Sequence, residues 1–376
     1  MRAPYRIGLL GLGHVGGALA RRLVGDGERI ERAARRPIRL EAIAVAHPSG
    51  RRAPAEIVPA ERLLERADLD VIVELIGGLE PAHTYIYTVL RSGRQAVTAN
   101  KQLIAARGPE LATLGPIRFE AAVASAIPIV ETLAENLASD RVRAVVGILN
   151  GTTNSILDAM TAGETYTEAL ANAQRRGLAE ADPSADVDAH DPAAKLAILS
   201  MLAFRLRIDP ASIERVGIRQ LEAAQLADAR DRGCVVKLVA AADIADGAGL
   251  RADVRPRLVP LDAALARVTG AMNAIAIESE YAGSLTFEGP GAGPDAAASA
   301  VVADLVRAAR DLPASAGAVL ASLSQQPAAE VRPFGSGAPY PAVSGPHPDP
   351  PPQAGEGNLE SGPHPDPPPQ AEEGSG

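Results

Sequence analysis

A glycine-rich turn between a predicted strand and a predicted helix constrains this fold more than any other feature of the sequence. The motif GLGHVG (11–16) follows a short apolar run (5–10) and precedes a helical pattern (15–24). The first glycine permits a tight turn, the second lets a pyrophosphate approach the backbone, and the third allows close packing. Amides at the start of the helix then face the phosphates. We therefore predict a dinucleotide-binding loop, the alternative being a tight turn without a ligand. Its predicted contacts are Gly11, Gly13, His14, Val15 and Gly16.

The N-terminal third of the chain alternates strand and helix patterns. DVIVELI (70–76), which two glycines follow, is typical of a strand buried on both faces. Further strands are predicted over 39–46 and 95–98, and a helix over 85–92. Strands that alternate with helices form parallel sheets. The fold predicted for 1–128 is therefore an α/β nucleotide-binding domain with a Rossmann-type parallel sheet.

The middle of the chain, 129–288, predicts a second domain of the α+β class. Long Ala- and Leu-rich segments predict helices there, and β-branched stretches predict strands. The helices are expected over 167–176, 192–204 and 210–229, and the strands over 234–239 and 274–278. A final helix over 296–310 is expected to pack back on the first domain, which residues 289–310 would complete.

The last part of the chain, 331–376, is expected to be a disordered Pro-rich tail. Residues 341–376 hold 11 of the 31 prolines, six acids and no Lys or Arg. They also contain a near-perfect repeat, SGPHPDPPPQAGEG from Ser344 and SGPHPDPPPQAEEG from Ser361. Such a segment has almost nothing apolar to bury. It is either a Pro-rich ligand for a partner domain or an appendage without function.

Composition excludes several classes of protein. One cysteine among 376 residues excludes a disulfide framework and a multi-cysteine metal site. No run of 18 apolar residues appears, so no membrane span is expected. The formal charge of −9 argues against general nucleic-acid binding. The sequence runs directly into a strand pattern, so no signal peptide is expected. A cytoplasmic enzyme or binding protein is therefore expected.

The second predicted strand bears on the choice between NAD and NADP. NAD-preferring sites usually place Asp or Glu at the end of this strand, where it holds the ribose hydroxyls. Here the strand ends in VAHP (45–48), without an acid, and Arg51 and Arg52 follow closely. These arginines could meet a 2′-phosphate, which favours NADP. The alternative is that both are solvated loop residues.

Lysine is scarce in this chain, which has 34 Arg and only Lys101, Lys195 and Lys237. Where a plain positive charge suffices the chain uses Arg, so a retained Lys indicates a site that needs a compact ammonium. Lys101 closes TANK (98–101), just beyond a predicted strand, where ligands of open α/β sheets bind. Lys237 lies in an apolar run, either in a buried ion pair or at an edge, and we assign it no chemistry.

Lys195 lies in a segment dense in acids, GLAEADPSADVDAHDPAAK (177–195). Asp191 followed by Pro192 predicts a helix start with Asp191 as the N-cap. Lys195 then lies one turn into the helix, on the same side as Asp191. The scarcity of Lys and the acidic neighbours favour a role in acid–base chemistry. The alternative is an ordinary Asp–Lys pair on a helix surface.

Taken together, these motifs resemble homoserine dehydrogenase. The resemblance covers about residues 5–310 in the family's order. NGTTN and GxAExDP…DxxxK are its most specific parts, and the polar side chains of NGTTN either contact substrate or cap a helix. The matching stretches are GLLGLGHVGGALA (8–20), DVIVELIGGLEPA (70–82), VTANKQLIA (97–105), FEAAVASAIPIVETL (119–133), GILNGTTNSIL (147–157), GLAEADPSADVDAHDPAAKLAIL (177–199) and GPGAGPDAAASAVVADL (289–305).

The resemblance implies NAD(P)H-dependent interconversion of L-aspartate 4-semialdehyde and L-homoserine, in threonine, methionine and isoleucine biosynthesis. It also implies a homodimer or homotetramer, with the second domain binding substrate and forming the dimer interface. Lys195 matches the catalytic lysine, the expected proton donor, and Lys101 matches the lysine between cofactor and substrate. Glu180 and Asp191 match the substrate-binding carboxylates. The further matches on the cofactor side are Thr98, Lys101, Gly177 and Gly293.

A structural sodium ion is implied as well. Glu120 matches a side-chain ligand, and Val123, Ser125 and Ile127 match backbone-carbonyl ligands. The family's loop usually reads VAGGIP, whereas this chain has VASAIP (123–128), so any glycine-only torsion there would be strained.

Other departures and alternatives follow from the same comparison. Ala189 stands where Gly is common before the catalytic helix, and the tail replaces the threonine-sensing domain of many bacterial relatives. A semialdehyde dehydrogenase with a thiol nucleophile would need a base near Cys234, whose neighbours in sequence include no His. The remaining alternative is a nucleotide sensor that kept the fold and lost catalysis.

Overall fold

The computed structural model describes residues 2–48, 52–245 and 249–334. The first sheet contains the strands β1 (Tyr5–Leu10), β2 (Ile38–Ala44), β3 (Glu56–Val58), β4 (Val71–Glu74), β5 (Gln95–Thr98) and β6 (Ile117–Arg118). Their order is β3-β2-β1-β4-β5-β6, and all neighbouring pairs are parallel. The sequence order therefore reverses between β1 and β4, as in the Rossmann fold, and the predicted fold class of the first domain is confirmed.

The second sheet is mixed. Its strands are β7 (Val142–Ile148), β8 (Glu214–Arg215), β9 (Cys234–Ala245), β10 (Gly249–Pro260), β11 (Met272–Ser279), β12 (Gly283–Pro290) and β13 (Val331–Arg332). The order is β12-β11-β7-β9-β10-β13, and β8 also pairs with β10. Only the short β8 and β13 run parallel to their neighbour. This part of the fold is of the α+β class, as predicted.

Helices and short turns connect the strands of both sheets. The α-helices of the described residues are α1 (His14–Gly25), α2 (Gly27–Ala34), α3 (Ala60–Glu65), α4 (Ala82–Arg91), α5 (Lys101–Ala112), α6 (Gly151–Thr161), α7 (Tyr166–Arg175), α8 (Ser184–Val187), α9 (His190–Phe204), α10 (Ala223–Asp231), α11 (Pro294–Ala309) and α12 (Ser315–Leu323). Single turns of 3₁₀- or π-helix occur at Glu120–Ala122, Thr132–Asn136, Pro210–Ser212 and Ala264–Arg267. No helix in these ranges is long and apolar enough to cross a membrane.

Both faces of the first sheet are buried, because alternate strand residues enter different apolar clusters. In β4, Ile72 packs in one cluster, whereas Val71 and Val73 pack in the other. The second cluster also receives Val301 and Leu305 of α11, which packs against α1 and α2. The final long helix therefore returns the chain to the first sheet, as predicted.

The helix α9 joins the two halves of the molecule. Beyond Lys195 its residues are apolar except for Ser200, and nearly all are buried, which is typical of a helix in a core. Leu196, Ile198 and Leu199 have no exposed surface. The helix contacts β7 and β9 on the second sheet and α5 beside the first. Lys195, near its start, therefore lies between the two sheets.

One predicted helix is wrong. The segment 210–229 forms a 3₁₀ turn, the strand β8 and only then α10. The reason is tertiary, since the Val216 amide donates to the Val254 carbonyl at 2.8 Å and adds this segment to the second sheet. A Cβ at Gly217 would lie 2.2 Å from the carbonyl oxygen of Val187, so this backbone passes directly against the end of α8.

The predicted start of the tail at 331 also differs from the structure. Residues 331–332 form β13 beside β10, and Phe334 is buried, with the guanidinium carbons of Arg251 and Arg257 at 4.8 and 5.2 Å from its ring centroid. The later residues of the predicted tail, which contain both copies of the repeat, lie outside the described residues, and so does the prediction for them.

Candidate active site

A cleft of about 450 Å³ opens where the first sheet meets the second half of the fold. Its walls include the start of α1, the turn between β5 and α5, the start of α6 and the start of α9. Ligands of open α/β sheets bind at such a carboxyl edge. The predicted site residues that line it are Val15, Lys101, Ser125, Gly177, Glu180, Asp191, Lys195 and Gly293.

The glycine loop beside this cleft has the conformation that the sequence predicted. Gly11 has a φ of +99°, and a Cβ there would lie 2.7 Å from the carbonyl oxygen of Leu75. A Cβ at Gly16 would lie 2.1 Å from the carbonyl oxygen of Gly11, so the turn closes only without a side chain. Around Gly13, the N-cap of α1, a Cβ would meet nothing within 4 Å. Gly13 therefore presents the open backbone that a pyrophosphate requires.

Two ammonium groups share one carboxylate in the cleft. The Lys195 Nζ lies 2.8 Å from Asp191 Oδ2, and the Lys101 Nζ lies 3.0 Å from Asp191 Oδ1. Burial favours the neutral form of Asp191, but the two ammonium groups outweigh it and hold the pKa of Asp191 well below its usual range. Asp191 in turn raises the pKa of Lys101, against the smaller effect of burial. Asp191 and Lys101 are therefore both charged at neutral pH.

The Lys195 ammonium has one further acceptor, the carbonyl oxygen of Leu149 at 2.7 Å. Only 9% of the Lys195 side chain and 7% of the Asp191 side chain are exposed. The alternative of an ordinary surface pair is therefore excluded. A buried ammonium that is held at two points has a fixed position, which is a requirement for directed proton transfer.

The predicted N-cap of α9 is wrong. The helix begins at His190, and its N-cap is Ala189, whose φ of +63° is left-handed. Asp191 therefore lies in the first turn, and its carboxylate accepts hydrogen bonds from side chains instead of capping the helix. This shift leaves Asp191 free to hold the two lysines. It also gives Ala189 a left-handed backbone, which is strained for a residue with a Cβ.

Asn150 follows one of the two alternatives that the sequence left for the polar residues of NGTTN, that of a helix cap. Its Oδ1 accepts the Thr153 amide at 2.9 Å and caps α6. Its Nδ2 donates to Asp191 at 2.9 Å and to Asp186 at 2.7 Å. Thr152 instead donates to the carbonyl of Leu178 at 2.8 Å. Asn150 is therefore a cap whose amide also orients two carboxylates of the cleft.

Asp186 is a site residue that sequence reasoning missed. It lines the cleft, half-buried, and forms no ion pair within the described ranges. Burial raises its pKa, the negative charge of Asp191 adds to that effect, and the bond from Asn150 opposes it. Its only signal in the sequence was membership of an acidic segment. Glu180, which was predicted, lines the same cleft and is exposed.

The turn that carries Lys101 is fixed by the neighbouring strand. Thr98 is fully buried, donates its hydroxyl proton to Glu74 and accepts the Asn100 amide at 3.0 Å. The Asn100 side chain caps α5 by accepting the Leu103 amide at 3.1 Å. The Thr98 side chain is therefore used inside the protein, so only its backbone remains for a cofactor.

The loop predicted to hold sodium combines a buried carboxylate with backbone carbonyls. Glu120 accepts the amides of Val130 at 2.8 Å and Glu131 at 3.1 Å, and burial raises its pKa. A cation would offset this buried charge, and an all-oxygen donor set suits a hard cation. Among the described residues no three His, Cys, Asp or Glu are grouped to hold a metal, so carbonyls would have to complete the site. The Glu120 carboxylate therefore has the chemistry of a ligand for such a cation, and of the three predicted carbonyls that of Ile127 also accepts the Ile129 amide at 2.9 Å.

The expected strain in this loop is present. Ala124 and Ser125 have φ values of +50° and +47°, in the left-handed region. Ser125 stands at the first glycine of the family's VAGGIP pattern, and its hydroxyl donates to the Gly291 carbonyl at 3.2 Å. A left-handed alanine or serine costs roughly 1–2 kcal/mol relative to an ordinary helical conformation.

A second cavity, of about 710 Å³, lies beside the glycine loop. Gly13, His14 and Arg52 contribute to its walls. Arg52 is exposed, and Arg51 lies outside the described residues. One of the two arginines that were predicted to meet a 2′-phosphate is therefore close to the loop.

Comparisons with known proteins cover both halves of the chain. The family model described as "Homoserine dehydrogenase, NAD binding domain" matches residues 11–116, and the one described as "Homoserine dehydrogenase" matches residues 128–306. The homoserine dehydrogenase of Mycobacterium leprae is 43% identical over 318 residues, which are 81% of this chain and 72% of that protein. The match therefore extends over the glycine loop and over the acidic segment with Lys195.

Solved structures agree with these matches. The crystal structure of a homoserine dehydrogenase from Thiobacillus denitrificans has a TM-score of 0.82 and 36% identity, covering 88% of this chain and 80% of that one. A hyperthermophilic archaeal homoserine dehydrogenase in complex with NADPH has a TM-score of 0.71 and 26% identity, covering 83% and 99%. These relatives are named as dehydrogenases, which gives the sensor alternative no support. The chain belongs to the homoserine dehydrogenase family.

Proposed function

We propose that this protein interconverts L-aspartate 4-semialdehyde and L-homoserine with an NADP cofactor, as a step of threonine, methionine and isoleucine biosynthesis. The observation that carries the proposal is the environment of Lys195. An ammonium has three protons. In Lys195 one is directed to Asp191 and one to the Leu149 carbonyl. The third remains for an oxygen atom of a ligand in the cleft.

Lys195 acts as the proton donor in the reduction of the aldehyde. The hydride is the chemistry that a bound nicotinamide supplies. Negative charge grows on the aldehyde oxygen during the transfer, and the Lys195 ammonium stabilises it and then gives up its proton. Asp191 holds Lys195 in place, and Lys101 completes the polar wall between cofactor and substrate. In the oxidation of homoserine, the neutral Lys195 amine accepts the hydroxyl proton.

The acidic side of the cleft receives the α-ammonium of the substrate. Glu180 and Asp191 were predicted for this role. Asp191 already serves two ammonium groups, whereas Glu180 and Asp186 line the cleft without such a partner in the described ranges. We therefore assign the direct contacts to Glu180 and Asp186. Asp191 supports them indirectly by orienting the lysines.

The cofactor lies along the glycine loop, with its nicotinamide toward the cleft. Gly177 and Gly293, which line the cleft, and the backbone of Thr98 then complete its surroundings. Arg52 beside the loop supports NADP over NAD, because a guanidinium matches the geometry of a 2′-phosphate. The relative solved with NADPH supports the same preference. A comparison of NADH and NADPH affinities tests it.

Two further parts of the predicted function remain proposals. A sodium ion is held by the Glu120 carboxylate and the carbonyls of Val123, Ser125 and Ile127, where it stabilises the loop without taking part in the reaction. The chain forms a homodimer or homotetramer through its second sheet. In support, β12 is an edge strand of that sheet, and edge strands are common sites of association. Light scattering of the purified protein tests the oligomeric state.

A spectrophotometric assay tests the function. NADPH oxidation is followed with L-aspartate 4-semialdehyde, and NADP reduction is followed with L-homoserine. We expect turnover in both directions. NADPH binding without turnover in either direction would contradict the proposal and favour the nucleotide sensor.

A further inference from the structure

The third lysine of the chain, Lys237, has so far been given no role. It lies in β9, and 2% of its side chain is exposed. Its Nζ lies 2.7 Å from Asp158 Oδ1, 2.7 Å from the Val268 carbonyl oxygen and 2.9 Å from Asn154 Oδ1. All three protons of the ammonium therefore have acceptors. Lys237 has none left for a ligand, and its role is to hold other groups.

The acceptors of Lys237 belong to two segments that the ammonium joins. Asn154 and Asp158 lie one turn apart in α6, and Val268 begins the segment that leads into β11. Asn154 Nδ2 donates to the carbonyls of Val268 at 3.1 Å and Gly270 at 3.0 Å. Asp158 Oδ2 accepts the Gly270 amide at 2.6 Å. The segment 268–271 is therefore fastened to α6 by a polar network with Lys237 at its centre.

The segment 268–271 also supports the start of α6. A Cβ at Gly151 would lie 2.4 Å from the carbonyl oxygen of Ala271, so the first turn of α6 rests directly on this backbone. The two residues before Gly151 hold the catalytic pair. The Leu149 carbonyl accepts a hydrogen bond from Lys195, and the Asn150 side-chain amide donates one to Asp191. The network of Lys237 therefore ends next to the atoms that orient Lys195.

A buried ammonium is a costly way to fill space. Apolar residues of similar volume usually serve as well or better where only packing is needed. The presence of the Lys237 ammonium is therefore explained by its three hydrogen bonds to the neighbouring segments, and not by the volume that the side chain fills. Catalysis is sensitive to such placement, since a misplacement of about 1 Å can lower a rate about 100-fold.

We propose that Lys237 is a positioning residue for the reaction. Its saturated ammonium fixes the segment 268–271 beneath α6, and it thereby sets the positions of the Leu149 carbonyl and the Asn150 amide. This inference rests on the proposed function, because the groups that it positions are those that hold Lys195.

The test measures kcat per NADPH-binding site in the variant Lys237→Met, which keeps an unbranched side chain one atom shorter and removes the ammonium. We expect kcat to fall roughly 10- to 100-fold. The Kd of NADPH stays unchanged, because the glycine loop belongs to the first sheet. With NADPH deuterated at the transferred position, the isotope effect on kcat rises, because the hydride step becomes slower than product release. Counting sites by NADPH binding removes any loss of folded protein from the comparison.

Arg257→Met is the matched control. Arg257 lies opposite Lys237 in β10, its side chain is 6% exposed, and it pairs with the buried Asp253 at 2.6 Å. We expect this variant to lose stability and to keep kcat per site and the isotope effect at wild-type values. Equal losses of kcat in Arg257→Met and Lys237→Met would overturn the inference, since any buried cation would then have the same effect.

The variant Asp158→Asn keeps the test valid if Lys237→Met does not fold. It preserves the shape of Asp158 and removes its charge, and because an amide has only one acceptor oxygen it also removes one of the two hydrogen bonds that Asp158 accepts from Lys237 and Gly270. We expect kcat per site to fall about threefold with a raised isotope effect, as for a small displacement. A wild-type rate and isotope effect in the folded variants would overturn the role of Lys237. An inactive wild-type protein would instead contradict the proposed function, so the two failures are distinguishable.

Discussion

The surroundings of Lys195 and Lys237 differ in one respect that separates their roles. Both ammonium groups are buried, and both lie near a carboxylate. Lys195 has two protein acceptors and lines the cleft, whereas Lys237 has three and does not contribute to the cleft's lining. An ammonium with a proton to spare can act on a ligand, and a saturated one can only hold its neighbours. The number of acceptors around a buried lysine thus indicates its function better than burial alone.

The carboxylates beside these lysines differ in the number of cations that each one pairs with and in their exposure. Asp191 serves Lys101 and Lys195 together and is 7% exposed. Asp158 serves Lys237 and the Gly270 amide and is 30% exposed. Removal of the charge of Asp191 therefore affects two cations, and removal of the charge of Asp158 affects one.

The largest effect on stability is expected for Asp191→Asn. It leaves two ammonium groups without their shared counter-charge, which costs about 3–5 kcal/mol of unfolding free energy for a buried pair. Urea denaturation at neutral pH measures this loss. Asp158→Asn is the comparison and should lose less, because Asp158 is partly exposed. An equal loss in both variants would break the distinction between the two sites.

The loss of unfolding free energy in Asp191→Asn also has a defined pH dependence. The folded-state pKa of Asp191 lies below its unfolded value, so its stabilisation is fully present above the unfolded pKa. It disappears as the pH falls through the lowered folded pKa. The difference in unfolding free energy between wild type and variant should therefore be constant from neutral pH down to the ordinary range of Asp titration. It should shrink in stronger acid.

An intermediate effect is expected for Asp186→Asn, on substrate binding. A charged hydrogen bond to the substrate ammonium is worth about 1.5–3 kcal/mol, so the KM for homoserine should rise roughly 10- to 100-fold at neutral pH. The pKa of Asp186 is raised, mainly by burial and further by Asp191, while Lys195 opposes the shift. As the pH is lowered, the KM of the wild type should therefore begin to rise at a pH above the ordinary pKa of Asp. In the variant this increase should be smaller, because Glu180 remains as the second carboxylate that binds the ammonium.

The stability of Asp186→Asn provides its control. The raised pKa means that folding disfavours the ionised form, so the Asp186 charge lowers stability once the pH exceeds its pKa. The variant should consequently be at least as stable as the wild type at neutral pH. An unchanged KM with a lower stability would show that Asp186 has a structural role and does not bind substrate.

The smallest effect is expected at Ala189, the left-handed N-cap of the helix that carries Lys195. Ala189→Gly removes a strain of roughly 1–2 kcal/mol, which the greater chain entropy of glycine offsets by about 0.5–1 kcal/mol. A gain of about 0.5–1 kcal/mol in unfolding free energy should result. Ala303→Gly, at an exposed interior position of α11, should instead lose about 1 kcal/mol. Losses in both variants would show that Ala189 is not strained.

The regular parts of the fold were predictable because their signals are local. The strand over 95–98 was located to the residue, and the glycine loop was placed correctly between β1 and α1. The segment 210–229 was not predictable in this way. Its helical pattern is overridden by pairing with Val254, 38 residues beyond Val216, and by contact of Gly217 with Val187. Such contacts leave no local pattern in the sequence.

The residues of the candidate site also differ in whether a local sequence signal identifies them. Lys101 and Lys195 stood out because the chain otherwise uses Arg, and the structure brings both to one carboxylate. Asp186 and the role of Lys237 were missed, since both depend on partners brought together by folding. Motif spacing indicates which residues belong to the site, but the number of hydrogen-bond acceptors around each of them can be read only from the folded structure.

The rate of Lys195→Ala tests the central claim most directly. If the spare proton of Lys195 reaches the aldehyde oxygen, kcat should fall by about 10²- to 10⁴-fold, while the Kd of NADPH remains at the wild-type value. The measurement is turnover with L-aspartate 4-semialdehyde, normalised to sites counted by NADPH binding. A kcat within a few-fold of the wild type would contradict the assignment of Lys195 as the proton donor.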